Sequence, residues 1–372
     1  MTQPNPPQPK RSPLDAQHRA LGARMELSEG WDLPVEYAGA VDEHLRVRSA
    51  AGLFDVCHRG QIEIAGRDAL KAVQWVMCND ADQLGIGQVQ ASALLTPAGT
   101  VVDSLRVCRL ATQHFLLVVN GATVTTDLAW IREQTRLCGD VLALDTSSRY
   151  AMLALQGPLA RQVLQTVLNC DLSELQSDWF THGEVARVRA TISRTGDTGE
   201  DGYEILVPPA QAATVWRAVL EAGEDDPVVP AGMGAFDTLR LEAGVRLYGR
   251  DVDISTTALD AGLDGIVAWQ KPAFLGREAL VQQKVTGPAR RLVGFEMMDG
   301  AVARHGAPIL VRGERTGVVT SGAHAPSLGR AIGLAYVRTA WAADGAEVDV
   351  DIAGRFSRAR IVPLPFYTRP KG

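Results

Sequence analysis

The chain has 372 residues, too many for one ordinary hydrophobic core, so two or three domains are expected. Its 46% hydrophobic and 22% charged residues are the proportions of a globular protein, and 36 glycines favour a turn-rich, β-rich build. The net charge of −6, with no basic block, argues against nucleic acid as the main partner but leaves room for a small anion held by local arginines.

The Pro/Gln-rich start, MTQPNPPQPKRSP, has no apolar signal core and reads as a disordered lead-in over residues 1–12. No apolar run reaches membrane-spanning length, so no membrane partner is expected. Five cysteines (Cys57, Cys78, Cys108, Cys138, Cys170) are odd in number, widely spaced and without a CxxC. They read as free thiols in a reducing cytoplasm. Seven scattered histidines with no HExxH propose no metal.

In chain order, an amphipathic segment lies within residues 14–30, and a turn at Gly30–Pro34 follows. Residues 42–51 read as a helix with an acidic start and a Gly52 stop. QIEI alternates as a strand should, and RDALKAVQWVM reads as a helix. Three strands follow, at 91–95, 101–110 and 114–119, as an antiparallel meander, then a helix over 125–137. This order is close to a ferredoxin-like unit. A second unit of similar order begins with a strand at 150–155 and ends with the helix QAATVWRAVLEAG. The expected division is 13–148 and 149–284, a linker near 284–288 (KVTGP), and a third domain over 289–372. Six short strands with glycine turns make that last domain a small β-barrel or jelly roll. The fold class is therefore α+β.

Residues 193–207, SRTGDTGEDGYEILV, run from strand through an acidic glycine turn into strand. Glu204 alternates with Tyr203 and Ile205 and faces the other way. Taken alone, this is either a solvated hairpin or a wall whose carboxylate takes two N–H bonds from a planar heterocycle.

Several stretches occur in one familiar order: GWDLPVEY, AGLFDVCH, ALLTPAGTVVDSLRV, LLVVNGAT, ALQGP, RTGDTGEDGYEI, DTLRLEAGVRLYGRDVD, FLGREAL, GVVTSGAHAPSL, IGLAYV and VPLPFY. In these the chain resembles the aminomethyltransferase, or T-protein, of the glycine cleavage system, from about residue 12 onward. The resemblance implies a clover-like arrangement, two α/β domains and a C-terminal antiparallel barrel around a central folate hole. It implies a transferase of one-carbon metabolism and glycine catabolism. The aminomethyl group on the lipoyl arm of H-protein would pass to tetrahydrofolate, giving 5,10-methylenetetrahydrofolate and ammonia. Glu204 matches the family's pterin-binding glutamate. Tyr367, Asn120 and Tyr248 fall on or near stretches that border the ligand.

Four positions depart from the pattern. Where the family has two consecutive acids, this chain has Asp103 and Ser104, and the register puts Ser104 at the catalytic position. Strand neighbours face opposite ways, so Asp103 cannot replace it without a bulge. Phe236 stands for a ligand-binding arginine, Asp197 for a tyrosine and Arg59 for a methionine. The expected activity is accordingly an aminomethyltransferase, impaired or repurposed. Two other readings follow from the same departures: a folate-dependent demethylase of a small methylated substrate, and a non-catalytic folate-binding protein.

Overall fold

The structure, a computed structural model, describes residues 8–223 and 228–370. It is a mixed α/β assembly with a closed antiparallel barrel at its C-terminal end. Of the expected lead-in, residues 1–7 lie outside the described residues. Lys10–Arg11 forms a short strand paired with Trp31 and Asp32. The amphipathic stretch gives only one short helix, Asp15–Ala20, before a strand at Arg24–Ser28.

The first sheet has the order Val89–Leu95, Val101–Ala111, His114–Val119, Gly60–Ala65, Leu142–Asp145. Helices Ala69–Val76 and Val124–Thr135 cover one face. Ile62, Ile64, Val73, Val107, Phe115, Leu117 and Ile131 make the core between them. The second sheet repeats this plan: Phe180–Val185, Val188–Ser193, Gly202–Val207, Ala151–Gln156, then Gly52–Asp55 and Val229–Pro230. Helices Ala160–Val167 and Ala212–Glu221 cover it, with Leu53, Leu153, Ile205 and Trp216 inside. Gly52–Asp55 precedes the first sheet in sequence yet pairs with Ala151–Gln156 in the second, so the two units interlock.

Strand side chains alternate, so each sheet has a second buried face. Phe54, Cys108, Leu116, Val118, Met152, Ala154 and Leu206 from the two sheets meet there, joined by Phe236 and Leu239 of helix Met233–Glu242. This layer between the sheets positions the site.

The helix Arg277–Thr286 runs into the expected linker and ends at Gly287, whose φ of 79° stops it. Six strands then close into a barrel: Arg290–Met297, Arg330–Arg338, Glu314–Ala325, Pro308–Val311, Glu347–Ile352 and Arg355–Val362. Closure leaves no free edge.

Candidate active site

Alternation on two strands builds the centre of the site. On Val101–Ala111, Leu105 and Val107 join the helix-side core, while Cys108 joins the layer between the sheets. Ser104 and Arg106 share the face of Cys108. On Gly202–Val207, Tyr203, Ile205 and Val207 lie helix-side and Leu206 faces the other sheet. Glu204 shares the face of Leu206. Arg106 and Glu204 thus approach each other across the gap.

Their contact is part of a four-charge cluster. Arg106 Nη1 donates to Glu204 Oε1 at 2.9 Å and Oε2 at 3.2 Å. Arg59 Nη1 donates to Oε1 at 2.9 Å. The Nη2 groups of both arginines bond Asp197. Thr195 Oγ1 donates to Glu204 Oε2 at 2.5 Å, and Arg106 Nη2 to the Gly196 carbonyl at 2.9 Å. Burial pushes the Asp197 carboxyl up, but the charges of Arg106 and Arg59 outweigh it and hold the group well below the usual carboxylate range. Burial likewise opposes the charge on Arg106, and Asp197 and Glu204 outweigh that. The Glu204 side chain is 4% exposed, against 17% and 18% for the two arginines. A ligand therefore meets arginine N–H edges and Asp197 before it meets Glu204.

A cavity of about 430 Å³ opens beside the cluster. Arg59, Ser104, Arg106, Asn120, Asp197 and Phe236 line it, with an apolar wall of Val118, Leu247, Val252, Leu263 and Ile266. It combines an apolar slot with a few converging polar groups, as small-molecule sites do. Phe236 packs edge-on against Phe54, with 5.4 Å between ring centroids, and its ring lies 5.8 Å from the Arg59 guanidinium. An apolar ring thus stands where the resemblance wants a guanidinium.

Ser104 is on the cavity wall and Asp103 is not. Asp103 is 0% exposed. It accepts from Asn120 Nδ2 at 2.6 Å, Asn120 N at 3.1 Å, Thr123 Oγ1 at 3.1 Å and Ser104 N at 2.8 Å. Asn120 therefore serves Asp103 and also borders the cavity. Asp127 lies beneath this pair, fully buried. Burial and the Asp103 charge push it up to about 9, so Asp127 keeps its proton. Tyr248 sits close to both acids. Burial, then Asp103 and Asp127, push its phenol up to about 12. His58 is half-buried, and desolvation with the neighbouring Arg59 charge lowers it to about 4, so it is neutral.

Tyr367 is placed elsewhere. Its ring lies 3.8 Å from the Arg48 guanidinium, and its N–H donates to the Glu242 carbonyl at 2.8 Å. Burial and a hydrogen bond to Glu200 raise its phenol to about 12. Of the residues singled out from sequence, the structure brings Ser104, Asn120, Asp197 and Phe236 to one cavity, with Glu204 bonded just behind Arg59 and Arg106. Arg106 escaped the sequence reading. Its signal was a charged residue two positions after Ser104 in an alternating strand. Among the described residues no group of three or more His, Cys, Asp or Glu side chains could hold a metal.

A profile described as GCVT N-terminal domain matches residues 14–271, and one described as Glycine cleavage T-protein C-terminal barrel domain matches residues 290–368. An aminomethyltransferase of Desulfitobacterium hafniense strain Y51 is 45% identical over 361 residues, covering 97% of this chain and 98% of the relative. One from Moorella thermoacetica is 46% identical, covering 97% and 99%. The crystal structure of the glycine cleavage system aminomethyltransferase T from Bartonella henselae superimposes with a TM-score of 0.90 at 33% identity, over 97% of this chain and 98% of that one.

Proposed function

The chain belongs to the glycine cleavage T-protein family of aminomethyltransferases, and from that premise we propose the reaction it runs and the cavity that runs it. Tetrahydrofolate occupies the cavity between the sheets. Its N5 attacks the methylene carbon of the aminomethyl group that H-protein carries on a lipoyl sulfur. The C–S bond breaks and its electron pair leaves with the sulfur as thiolate. The C–N bond breaks and ammonia leaves. New bonds to N5 and N10, which give up their protons to the departing amine and the thiolate, give 5,10-methylenetetrahydrofolate.

The observation that carries this reading is Glu204, a buried carboxylate bonded behind the cavity-lining Arg59 and Arg106, in a chain 45% identical to an aminomethyltransferase over 97% of its length. A pterin offers adjacent N–H donors and an oxo acceptor along one edge. Asp197, which Glu204 helps to hold through the two arginines, can accept, and Arg59 and Arg106 can donate, so the cluster suits both kinds of group. The apolar wall excludes water, which would hydrolyse an iminium intermediate. Ser104 is neutral, so in-line positioning of the reactants bears more of the catalysis than charge does. The five cysteines are free thiols, which supports a cytoplasmic location. No helix among the described residues is long and apolar enough to cross a membrane.

The test is formation of 5,10-methylenetetrahydrofolate from aminomethylated H-protein and tetrahydrofolate. Turnover above a no-enzyme control is expected. Its absence, with correctly loaded H-protein, would overturn the reading.

A further inference from the structure

Four arginines line the cavity, and three have their charge met by carboxylates. Arg59 and Arg106 share Asp197 and Glu204. Arg240 bonds Asp251 at 2.6 Å and Asp237 at 2.6 Å. Arg246 differs. Among the described residues no carboxylate lies within ion-pair distance of it, and its hydrogen bonds run to backbone carbonyls. Nε donates to Ala261 at 3.2 Å, Nη1 to Gly244 at 3.1 Å and Nη2 to Gly262 at 3.1 Å. Asp178, the remaining acid on the lining, is exposed, so its charge is spent on water.

The three carbonyls fix the guanidinium without neutralising it. A guanidinium has five N–H donors, and three are engaged. One N–H is left on each of Nη1 and Nη2, so the group keeps two donors for a carboxylate. Leu247, Val252, Leu263 and Ile266, from the segments that flank Arg246 and its acceptors, supply the apolar wall beside it. Burial disfavours this cation by more than Asp251 and Asp264, both beyond ion-pair distance, and Tyr336 favour it, and an anion would relieve the cost. Arg246 shares no partner with the Arg59–Arg106 cluster, so it makes a second polar point on the same cavity.

We propose that Arg246 is the seat for a carboxylate of the cavity's ligand, a molecule whose polar heterocycle binds at the Arg59–Arg106 cluster and whose acidic end binds here. This rests on the reading of the cavity as a tetrahydrofolate site. Tetrahydrofolate joins a pterin through an aminobenzoyl group to a glutamate, and so carries an acidic tail. Arg246 then discriminates the full cofactor from pterins that lack that tail.

Calorimetry on the full chain separates these points, with tetrahydrofolate and tail-less 6-methyltetrahydropterin as probes. Arg246→Gln should weaken tetrahydrofolate about tenfold or more, as loss of a charge-assisted pair does, and leave the tail-less pterin unchanged. Arg246→Lys should recover part of the loss. Unchanged tetrahydrofolate affinity in Arg246→Gln, or an equal loss for both probes, would overturn the proposal and leave the folate reading standing. A wild type that binds neither probe would overturn both. If Arg246→Gln does not fold, the wild type decides. Esterifying both tail carboxylates should cost about tenfold or more in affinity, and equal binding of acid and diester would overturn the proposal.

Discussion

Asp103 and Ser104 are one peptide bond apart and have different surroundings. Asp103 is 0% exposed and ringed by Asn120, Thr123 and the Ser104 N–H, whereas Ser104 faces the cavity. Strand alternation made that split legible before any coordinates. Ser104→Asp puts a carboxylate on the wall at the position the family pattern reserves for one. It should raise turnover by about tenfold or more, since about 1.4 kcal/mol off the barrier is tenfold in rate and a placed stabilising group contributes at least on the order of that. Unchanged or lower turnover would show that the site has adapted to the hydroxyl. Below it, Asp127 keeps its proton to about pH 9. In the unfolded chain an ordinary aspartate loses that proton near pH 4. Between these values the unfolded state binds fewer protons, so this residue makes stability fall as pH rises. Asp127→Asn removes the effect and can still donate to Asp103. Its melting temperature relative to wild type should therefore be higher at about pH 8 than at about pH 5. An equal difference at both would contradict a protonated Asp127. Arg106 was not legible, because its partners Asp197 and Glu204 are more than ninety residues away in sequence and only the sheet pairing reveals them.

The turn between Val188–Ser193 and Gly202–Val207 shows why its glycines are there. A Cβ on Gly196 would lie 1.9 Å from Gln156 Oε1, and one on Gly202 2.3 Å from Gln156 Nε2. Gln156 is 0% exposed and cannot swing away, since it donates to the Thr195 carbonyl at 3.1 Å and accepts from Thr198 Oγ1 at 3.0 Å. Gly196 and Gly202 serve close approach, whereas Gly199, at a φ of 83°, serves the backbone angle. Gly196→Ala should cost about 1–3 kcal/mol, the range for overpacking, read as a lower denaturation midpoint. No change would mean that Gln156 is freer than its bonds suggest. Element by element, the alternation of QIEI, the continuous apolar run of HFLLVV and the helical spacing of RDALKAVQWVM made those elements readable. Phe180–Val185 and Leu142–Asp145 were not read. FTHGEV carries a glycine and mixed polarity, and the outermost strand LALD exposes Leu142 and Leu144. Tertiary pairing overrides weak local preference at both.

At the scale of the molecule, a buried network ties the units together. Arg48 donates to Glu242 at 2.9 Å, to Glu200 at 3.0 Å and to the Thr198 carbonyl at 2.7 Å, and Tyr367 stacks on it. Ser327, in the barrel, donates its N–H to Glu242 at 3.0 Å. Arg240 reaches Ser321 of the barrel at 2.9 Å while holding Asp251. The barrel thereby braces helix Met233–Glu242, which carries Phe236 to the cavity. Motif order made the three-part architecture legible, but not this bracing, because it joins side chains from stretches that look unrelated in sequence. The central claim, that the cavity beside Glu204 takes tetrahydrofolate, concerns the folded whole. A ligand that binds only the native state stabilises it, by about 2.7 kcal/mol at a hundredfold excess over Kd. The direct measurement is the melting temperature of wild type and Glu204→Gln with and without excess tetrahydrofolate. A rise in the wild type that is lost or much reduced in the variant is predicted. An equal rise in both would contradict the claim.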